Sequence, residues 1–180
     1  MTETEASRSG EVVEQEATIG NEAALQATRL PATTAVYSLS PLSPIETDLV
    51  TRINAYRISQ GRTRLVLDSR LVQAARTHNN LMSSRRILSH QLVGELPPFA
   101  LGPSNDRYEA VGYIWNMGAE NVARGYVTAA AVLNGWIASP GHKSNLLASN
   151  ARDVGVAFNS VGYFWTLDLG NSFYPSMPLL

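Results

Sequence analysis

The sequence predicts an α+β fold, because it contains several helical patterns and two paired strands near its end. Apolar residues recur at helical spacing after Ser43 and again after Asp68. The segments 154–159 and 161–169 are typical of two strands that meet at a polar, glycine-containing turn. The chain has no cysteine, so packing alone must hold these elements together.

Length and composition favour one folded domain with an acidic tail. Of the 180 residues, 44% are hydrophobic and 16% are charged, which is enough apolar material for a core. We predict a poorly ordered segment over residues 1–42, with a short helix over 11–26 as the alternative. The folded domain is predicted over 43–172, and residues 173–180 are predicted to form a loosely packed tail.

Charge is distributed unevenly along the chain. Residues 1–48 carry eight acids and two arginines, whereas residues 49–180 carry seven acids and twelve basic residues. The basic body would attract anionic partners such as membranes or wall polymers, and the alternative is a solvated arginine-rich face. No basic run with interleaved aromatic residues is present, so we expect no nucleic-acid binding.

Two absences bear on location. Residues 1–24 are acidic and lack the apolar stretch of a signal peptide. No apolar run approaches the roughly 20 residues that a membrane helix needs. We therefore expect a protein that is not integral to a membrane.

The first predicted helix starts at a capping box. Ser43 is the N-cap, Pro44 takes the first helical position and Glu46 reaches back to the cap. An apolar face follows from Leu49 at i, i+4 and i+7, and Gly61 ends the helix.

The second predicted helix starts at Asp68 and carries one apolar face. That face is formed by Leu71, Ala75, His78 and Met82. Because His78 lies on the core side, we interpret it as a buried, hydrogen-bonded histidine rather than a ligand.

The later elements are shorter. Residues 91–112 have loop composition with one helical turn over 105–110, and a short strand is predicted over 112–115. A third helix is predicted over 128–138. Asp168, near the end of the last strand, is interpreted as a loop-facing polar group or the partner of a helix cap.

Three short segments carry the candidate chemistry, and they contain His90, Glu120 and His142. Two imidazoles and a carboxylate are suited to binding a divalent metal ion or transferring a proton. In the last segment, Ser139 can cap a short helix with Pro140 at its first position, which places His142 at the third. The positive end of that helix favours a neutral His142.

These segments resemble the CAP superfamily of cysteine-rich secretory, antigen 5 and pathogenesis-related 1 proteins, in particular its cysteine-free bacterial SCP-type branch. The resemblance runs from about residue 45 to 170. It rests on Ile-Asn-Ala-Tyr-Arg at 53–57, Leu-Ser-His at 88–90, Asp-Arg at 106–107, Gly-Tyr-Ile-Trp at 112–115, Gly-Ala-Glu-Asn-Val-Ala at 118–123, Trp-Ile-Ala-Ser-Pro-Gly-His at 136–142, Val-Gly-Val-Ala at 154–157 and Gly-Tyr-Phe-Trp-Thr at 162–166.

The resemblance implies an α-β-α sandwich with a small antiparallel sheet between helical layers, and a secreted protein. It also implies a cleft built from two histidines and two acids. His90, Glu120 and His142 match three of these four residues. The fourth, a glutamate in the helix before the second histidine, has no counterpart, and Ser139 lies at the place nearest to it.

Two roles in the cleft depend on local structure. Glu120 is predicted in a glycine-flanked, apolar loop, where burial would raise its pKa and a nearby imidazole or metal would lower it. Asn121 is predicted to satisfy backbone groups of the same turn rather than to take part in catalysis.

These residues leave two main hypotheses for function. The first is a secreted binding module whose cleft, formed by His90, Glu120, His142, Ser139 and Asn121, takes a divalent metal, a lipid, a wall polymer or a peptide. The second is a metal-assisted hydrolase. In it, His90 and His142 bind Zn²⁺ or another divalent metal and Glu120 is the general base.

Two further alternatives assign the cleft no ligand. A buried His–Glu–His hydrogen-bond network could simply hold the loops together. The domain could also be a scaffold whose acidic N-terminal segment carries the interaction.

Overall fold

A mixed five-stranded sheet lies between two layers of helices in the computed structural model of the protein, which describes residues 11–13, 40–98 and 106–179. The helices are α1 (Pro44–Ser59), α2 (Ser69–Arg85), α3 (Arg107–Ala110), α4 (Ala129–Ala138) and α5 (Pro140–Leu146). The strands are β1 (Glu11–Val13), β2 (Val66–Leu67), β3 (Trp115–Arg124), β4 (Asp153–Asn159) and β5 (Phe164–Ser172). The strand order is β1-β3-β5-β4-β2, and among these described strands only β2 and β4 pair in parallel.

The alternation of side chains along the strands divides the core into two layers. On β5, Trp165, Leu167 and Leu169 pack with residues of α1 and α4. Phe164 faces the other way and packs with Met82 of α2. The predicted α+β class and the α-β-α sandwich are therefore confirmed.

Local capping signals start the helices where the sequence predicts. Glu46 Oε2 accepts a hydrogen bond from the Ser43 backbone N–H at 2.8 Å, and the Asp68 side chain accepts one from Arg70 N–H at 2.9 Å. α1 ends one residue before Gln60, and Gly61 follows with a φ of +71°. These predictions succeed because each depends on a few neighbouring residues.

One glycine allows α2 to lie close against the sheet. A Cβ atom at Gly155 in β4 would stand 2.2 Å from the backbone carbonyl carbon of Leu71. Neither backbone can yield, so only glycine permits this approach. The core side of α2, which carries His78, therefore lies against the strands that carry the site.

Three predictions about secondary structure and ordered segments are wrong. The loop predicted around Glu120 is the middle of β3, because pairing with β5 overrides the local glycine and alanine signal. Glu11–Val13 is a strand paired with β3, rather than part of the predicted poorly ordered segment or of the alternative helix. Residues 1–10 and 14–39 of that segment lie outside the described part. The C-terminal tail is hydrogen-bonded to the domain rather than loosely packed, since Met177 N–H donates to Asp68 at 3.0 Å.

Candidate functional site

The site is built around Glu120, which β3 carries into the interior. Glu120 lies directly opposite Asp168 in the β3–β5 ladder. Glu120 is 1% exposed and Asp168 is 0% exposed. The strand register alone therefore places two carboxyl groups side by side away from water, where two negative charges are strongly unfavourable.

Both oxygens of the Glu120 carboxylate are bound by protein donors. His90 Nδ1 donates to Oε1 over 2.8 Å, and the Arg107 guanidinium donates to Oε2 in a very short contact. Arg107 also donates to the main-chain carbonyl of His90 at 3.1 Å. One arginine thus fixes both the carboxylate and the backbone of the histidine that contacts it.

Further polar groups enclose Arg107. His78 is buried and hydrogen-bonded, as predicted: its Nε2 lies 2.8 Å from the carbonyl oxygen of Ser89 and its Nδ1 lies 2.8 Å from Glu95 Oε1. Glu95 is also 3.2 Å from the Arg107 guanidinium. We define the Arg107 network as His78, His90, Glu95, Arg107, Glu120 and Asp168.

The two facing carboxyls have opposite pKa shifts. Burial raises the pKa of Glu120, but Arg107 and the hydrogen bond from His90 outweigh it and lower the pKa to about 2. Burial and the neighbouring Glu120 raise the pKa of Asp168 well above its usual value. Of the two carboxyls, Glu120 is therefore the one that ionises first, and Asp168 keeps its proton to higher pH.

The position of Asp168 corrects the prediction for it. Asp168 is neither loop-facing nor a helix-cap partner, since it lies within β5 and is buried. The Tyr108 hydroxyl and the Glu120 carboxylate lie beside its carboxyl group. A proton on Asp168 resolves this arrangement, because its O–H can then donate to the Glu120 carboxylate.

His142 contacts the face of β3 opposite to the one that carries Glu120. Asn121 follows Glu120 in the strand, so its side chain leaves the opposite face. Its Nδ2 donates to the His142 carbonyl at 3.1 Å, and Asn145 Nδ2 donates to Asn121 Oδ1 at 2.8 Å. Asn121 therefore bonds backbone groups as predicted, but from within a strand rather than a turn.

The short helix predicted at Ser139 is present as α5. Ser139 is its N-cap, Pro140 its first residue, and His142 is fully buried at its third position. The Ser139 hydroxyl lies 2.7 Å from His142 Nδ1. Of the five predicted cleft residues, His90 and Glu120 thus touch each other, and Ser139 and Asn121 both touch His142.

The donor set does not suit a metal at Glu120. Both of its oxygens already accept hydrogen bonds from His90 and Arg107. The positive Arg107 guanidinium balances the charge of the carboxylate, as a bound metal ion otherwise would. Within the ranges 40–98 and 106–179, no group of three or more histidines and acids is arranged to hold a metal ion. Metal binding through His90 and His142 stays a prediction.

Sequence reasoning gave three residues of the site no role, namely Glu95, Arg107 and Asn145, and gave Asp168 a wrong one. Arg107 stands in the Asp-Arg pair of the family resemblance, which was a signal for its importance but not for its contact with Glu120. Glu95 and Asn145 carried no local signal. Asp168 lies 48 positions from Glu120, and only strand register joins them.

Comparisons with known proteins agree with this architecture. The sequence pattern of the cysteine-rich secretory protein (CAP) family matches residues 50–169. The Bacillus subtilis protein YkwD is 30% identical over 145 residues, which cover 78% of this chain and 54% of YkwD. The Bacillus subtilis membrane protein YlbC is 28% identical over 118 residues, or 66% of this chain and 32% of YlbC. The chain thus spans about half or less of these relatives.

Solved structures share the fold. An extracellular SCP-domain protein of Bacillus anthracis superposes with a TM-score of 0.59 and 26% identity, over 74% of this chain and 45% of that one. An outer surface protein of Borrelia burgdorferi gives a TM-score of 0.62 and 21% identity, over 70% of this chain and 91% of that one. The match to the family pattern covers most of the folded region, and the chain belongs to the CAP family.

Proposed function

We propose that this protein is a non-catalytic binding module of the CAP family that acts outside the cell and binds an anionic wall polymer. In this proposal the Arg107 network stabilises the folded domain. The ligand is bound by the basic surface around that framework.

The observation that carries the proposal is the state of Glu120. A general base needs a free carboxylate oxygen within reach of a water molecule or substrate. Glu120 is buried, and His90 and Arg107 bind both of its oxygens. Releasing one oxygen would break a buried ion pair, which costs about 3–5 kcal/mol. This arrangement favours a structural role over hydrolysis.

The distribution of charge supports an anionic ligand. Of the seven acids in residues 49–180, five are buried, namely Asp68, Asp106, Glu120, Asp153 and Asp168. Six of the twelve basic residues are exposed, namely Arg52, Arg62, Arg64, Arg85, Arg86 and Lys143. Because the acids are inside and many bases are outside, the surface of the body is more basic than its net charge indicates.

The polar character of the Arg107 network also favours a wall polymer over a lipid. An acyl chain needs an apolar channel, whereas this interior is lined by charged and hydrogen-bonding groups. In the part of the chain that the structure describes, no helix combines the length and hydrophobicity needed to cross a bilayer. An extracellular location is supported by the Bacillus anthracis relative, which is itself described as extracellular.

Co-sedimentation with bacterial cell-wall sacculi tests the binding proposal. The full chain should pellet with sacculi that retain their anionic polymers and stay soluble with sacculi stripped of them. An Arg62→Gln, Arg64→Gln double variant should pellet less, and an Arg57→Lys variant, altered only at a buried position, should pellet as the wild type does. Equal pelleting with stripped sacculi would overturn the proposal.

Zinc calorimetry tests the hydrolase alternative. Metal-stripped wild type should show no affinity tighter than millimolar, and it should not hydrolyse peptide or ester substrates. Micromolar binding that is lost in both His90→Ala and His142→Ala, together with turnover that needs Glu120, would replace the proposal with the metal-assisted mechanism.

A further inference from the structure

A surface pocket outside the Arg107 network lies where α2 ends beside the β4–β5 turn. It has a volume of about 250 Å³ and is lined by Arg86, Arg124, Val161, Gly162 and Phe164. The two arginines supply its positive charge. Phe164 and the turn residues make most of the lining apolar, and the two arginines contribute a smaller polar part.

The two arginines of the pocket bond to the backbone and to a ring rather than to acids. Arg124 Nη1 donates to the Arg86 carbonyl at 3.3 Å, and its guanidinium lies 5.2 Å from the centre of the Phe164 ring. In residues 40–98 and 106–179, no carboxylate forms an ion pair with Arg86 or Arg124. Two guanidinium groups that share a pocket in this way have donors available for an oxyanion.

The walls of the pocket are held in place before any ligand arrives. Ser83 Oγ donates to the Val161 carbonyl at 2.7 Å, and Asn159 Oδ1 accepts from Val161 N–H at 2.9 Å. Arg86 ends α2 in the left-handed region with a φ of 58°. Its position is thus set by the helix end, and preformed sites of this kind lose less entropy on binding.

A glycine keeps the pocket open. Gly162 has a φ of +86°, and a Cβ atom there would lie 2.8 Å from the Phe164 ring. Any side chain at this position would both strain the backbone and enter the apolar wall.

We propose that the pocket between Arg86 and Arg124 binds a phosphate ester carried on a small carbon group the size of glycerol. Phosphate matches the guanidinium fork better than a single carboxylate does, because it offers three or more acceptor oxygens to two arginines. A volume of about 250 Å³ is below that of a typical drug-sized site, which limits the ligand to a few carbons beside the phosphate. The carbons would lie against Phe164.

This inference deepens the proposed function and rests on it only for the source of the ligand. A soluble phosphate ester and a repeating unit of a phosphate-containing wall polymer present the same chemistry. The probes must therefore separate these two sources from each other and from a lipid headgroup.

Titration of the isotope-labelled full chain, followed by NMR, is the first experiment. sn-Glycerol 3-phosphate should shift the signals of the pocket residues with submillimolar to millimolar affinity, and glycerol should not. Arg86→Gly removes one guanidinium at a position where glycine is favoured, so the fold is retained. Arg86→Gly and Arg124→Gln should each weaken binding at least ten-fold, and Arg85→Gln, which removes the neighbouring charge, less than two-fold.

Several results would overturn the proposal that this pocket binds a phosphate ester. Equal weakening in Arg85→Gln would mean diffuse attraction to the basic surface, and binding to phosphatidylglycerol vesicles without binding of the soluble ester would mean a membrane surface.

The source of the ligand is identified by comparing polymer with monomer. Poly(glycerol phosphate) that binds more tightly than the monomer, with binding lost in Arg86→Gly, would support a polymer source. Equal affinity for the two would support a soluble ester. If Arg86→Gly still pellets with sacculi while ester binding is absent in the wild type, the pocket fails and the wall-binding proposal stands.

Discussion

Two buried groups of acids in this protein are neutralised in different ways. In the Arg107 network, Glu120 and Asp168 face each other with one arginine between them and Glu95. In a second group, which we call the Asp153 anchor (Asp68, Arg70, Tyr113, Arg152, Asp153 and Ser176), Asp153 has donors at both oxygens. They are the Arg152 guanidinium, the Tyr113 and Ser176 hydroxyls, and a backbone N–H.

The two groups differ in whether every buried carboxyl has enough donors to stay ionised. Burial raises the pKa of Asp153, but hydrogen bonds from four donor groups outweigh it and lower the pKa. Asp168 cannot be stabilised in this way, so it holds a proton instead. A carboxyl that holds its proton beside an ionised one lets both groups be buried together, which agrees with the structural role proposed for the Arg107 network.

The largest effect is expected from Arg107→Met, which removes the guanidinium that lies between Glu120 and Glu95. It should lower the free energy of unfolding by about 3–5 kcal/mol at pH 7, because buried carboxylates lose their partner. Urea denaturation measures this. Arg107→Lys keeps the charge but not the fork of donors, so its stability should lie between those of Arg107→Met and the wild type. If the free energy of unfolding of Arg107→Met fell by less than about 1 kcal/mol, the Arg107 network would not be a stabilising part of the fold.

Asp153→Ala should have the next largest effect, about 2–4 kcal/mol, because it leaves the buried Tyr113 hydroxyl and a backbone N–H without an acceptor. It should also free the C-terminal segment from β4. Hydrogen exchange at the amides of Ser172 and Met177 tests this release. Protection that is unchanged at Ser172, whose N–H donates to Asp153 at 3.2 Å, would contradict the assignment of Asp153 as an anchor.

Asp168→Asn should stabilise the protein at pH 7 by about 1–2 kcal/mol. The raised pKa means that the folded wild type keeps a proton that the unfolded chain releases above about pH 4. Wild-type stability therefore falls as pH rises from about 4 towards the folded pKa, and asparagine does not ionise.

The pH dependence of that difference is its control. Thermal unfolding from pH 3 to 8 should give equal stability for Asp168→Asn and wild type near pH 3, with a gap that widens as pH rises. Asp153→Asn should show the reverse order, since the lowered pKa of Asp153 contributes stability above about pH 4 that is lost on acidification. A variant Asp168→Asn that is less stable at every pH would mean that Asp168 is ionised.

The smallest effect is expected from Arg152→Met. The Arg152 side chain is 41% exposed, so its pair with Asp153 is screened by water and salt. The free energy of unfolding should fall by about 0.5 kcal/mol, and about 0.5 M salt should remove most of that difference. A loss as large as that of Arg107→Met would abolish the distinction between the two groups.

Helix starts and helix faces were predictable because their causes are local. Ser43 and Asp68 cap helices through groups a few residues away, and α5 begins directly after Ser139. His78 falls on the core side of α2 by helical spacing alone. The resemblance of the motifs supplied the layered architecture and joined His90 to Glu120. It did so without any information on distance.

The chemistry of the centre depends on partners that are remote in the sequence. Glu120 and Asp168 become neighbours only through the register of β3 with β5. Whether Glu120 is a free base or a paired ion depends on where α3 places Arg107. Composition, capping and periodicity act over one or two helical turns, so they could specify these elements but not which charges meet in the interior. That choice follows from packing, because burial removes the water that would otherwise neutralise each charge separately.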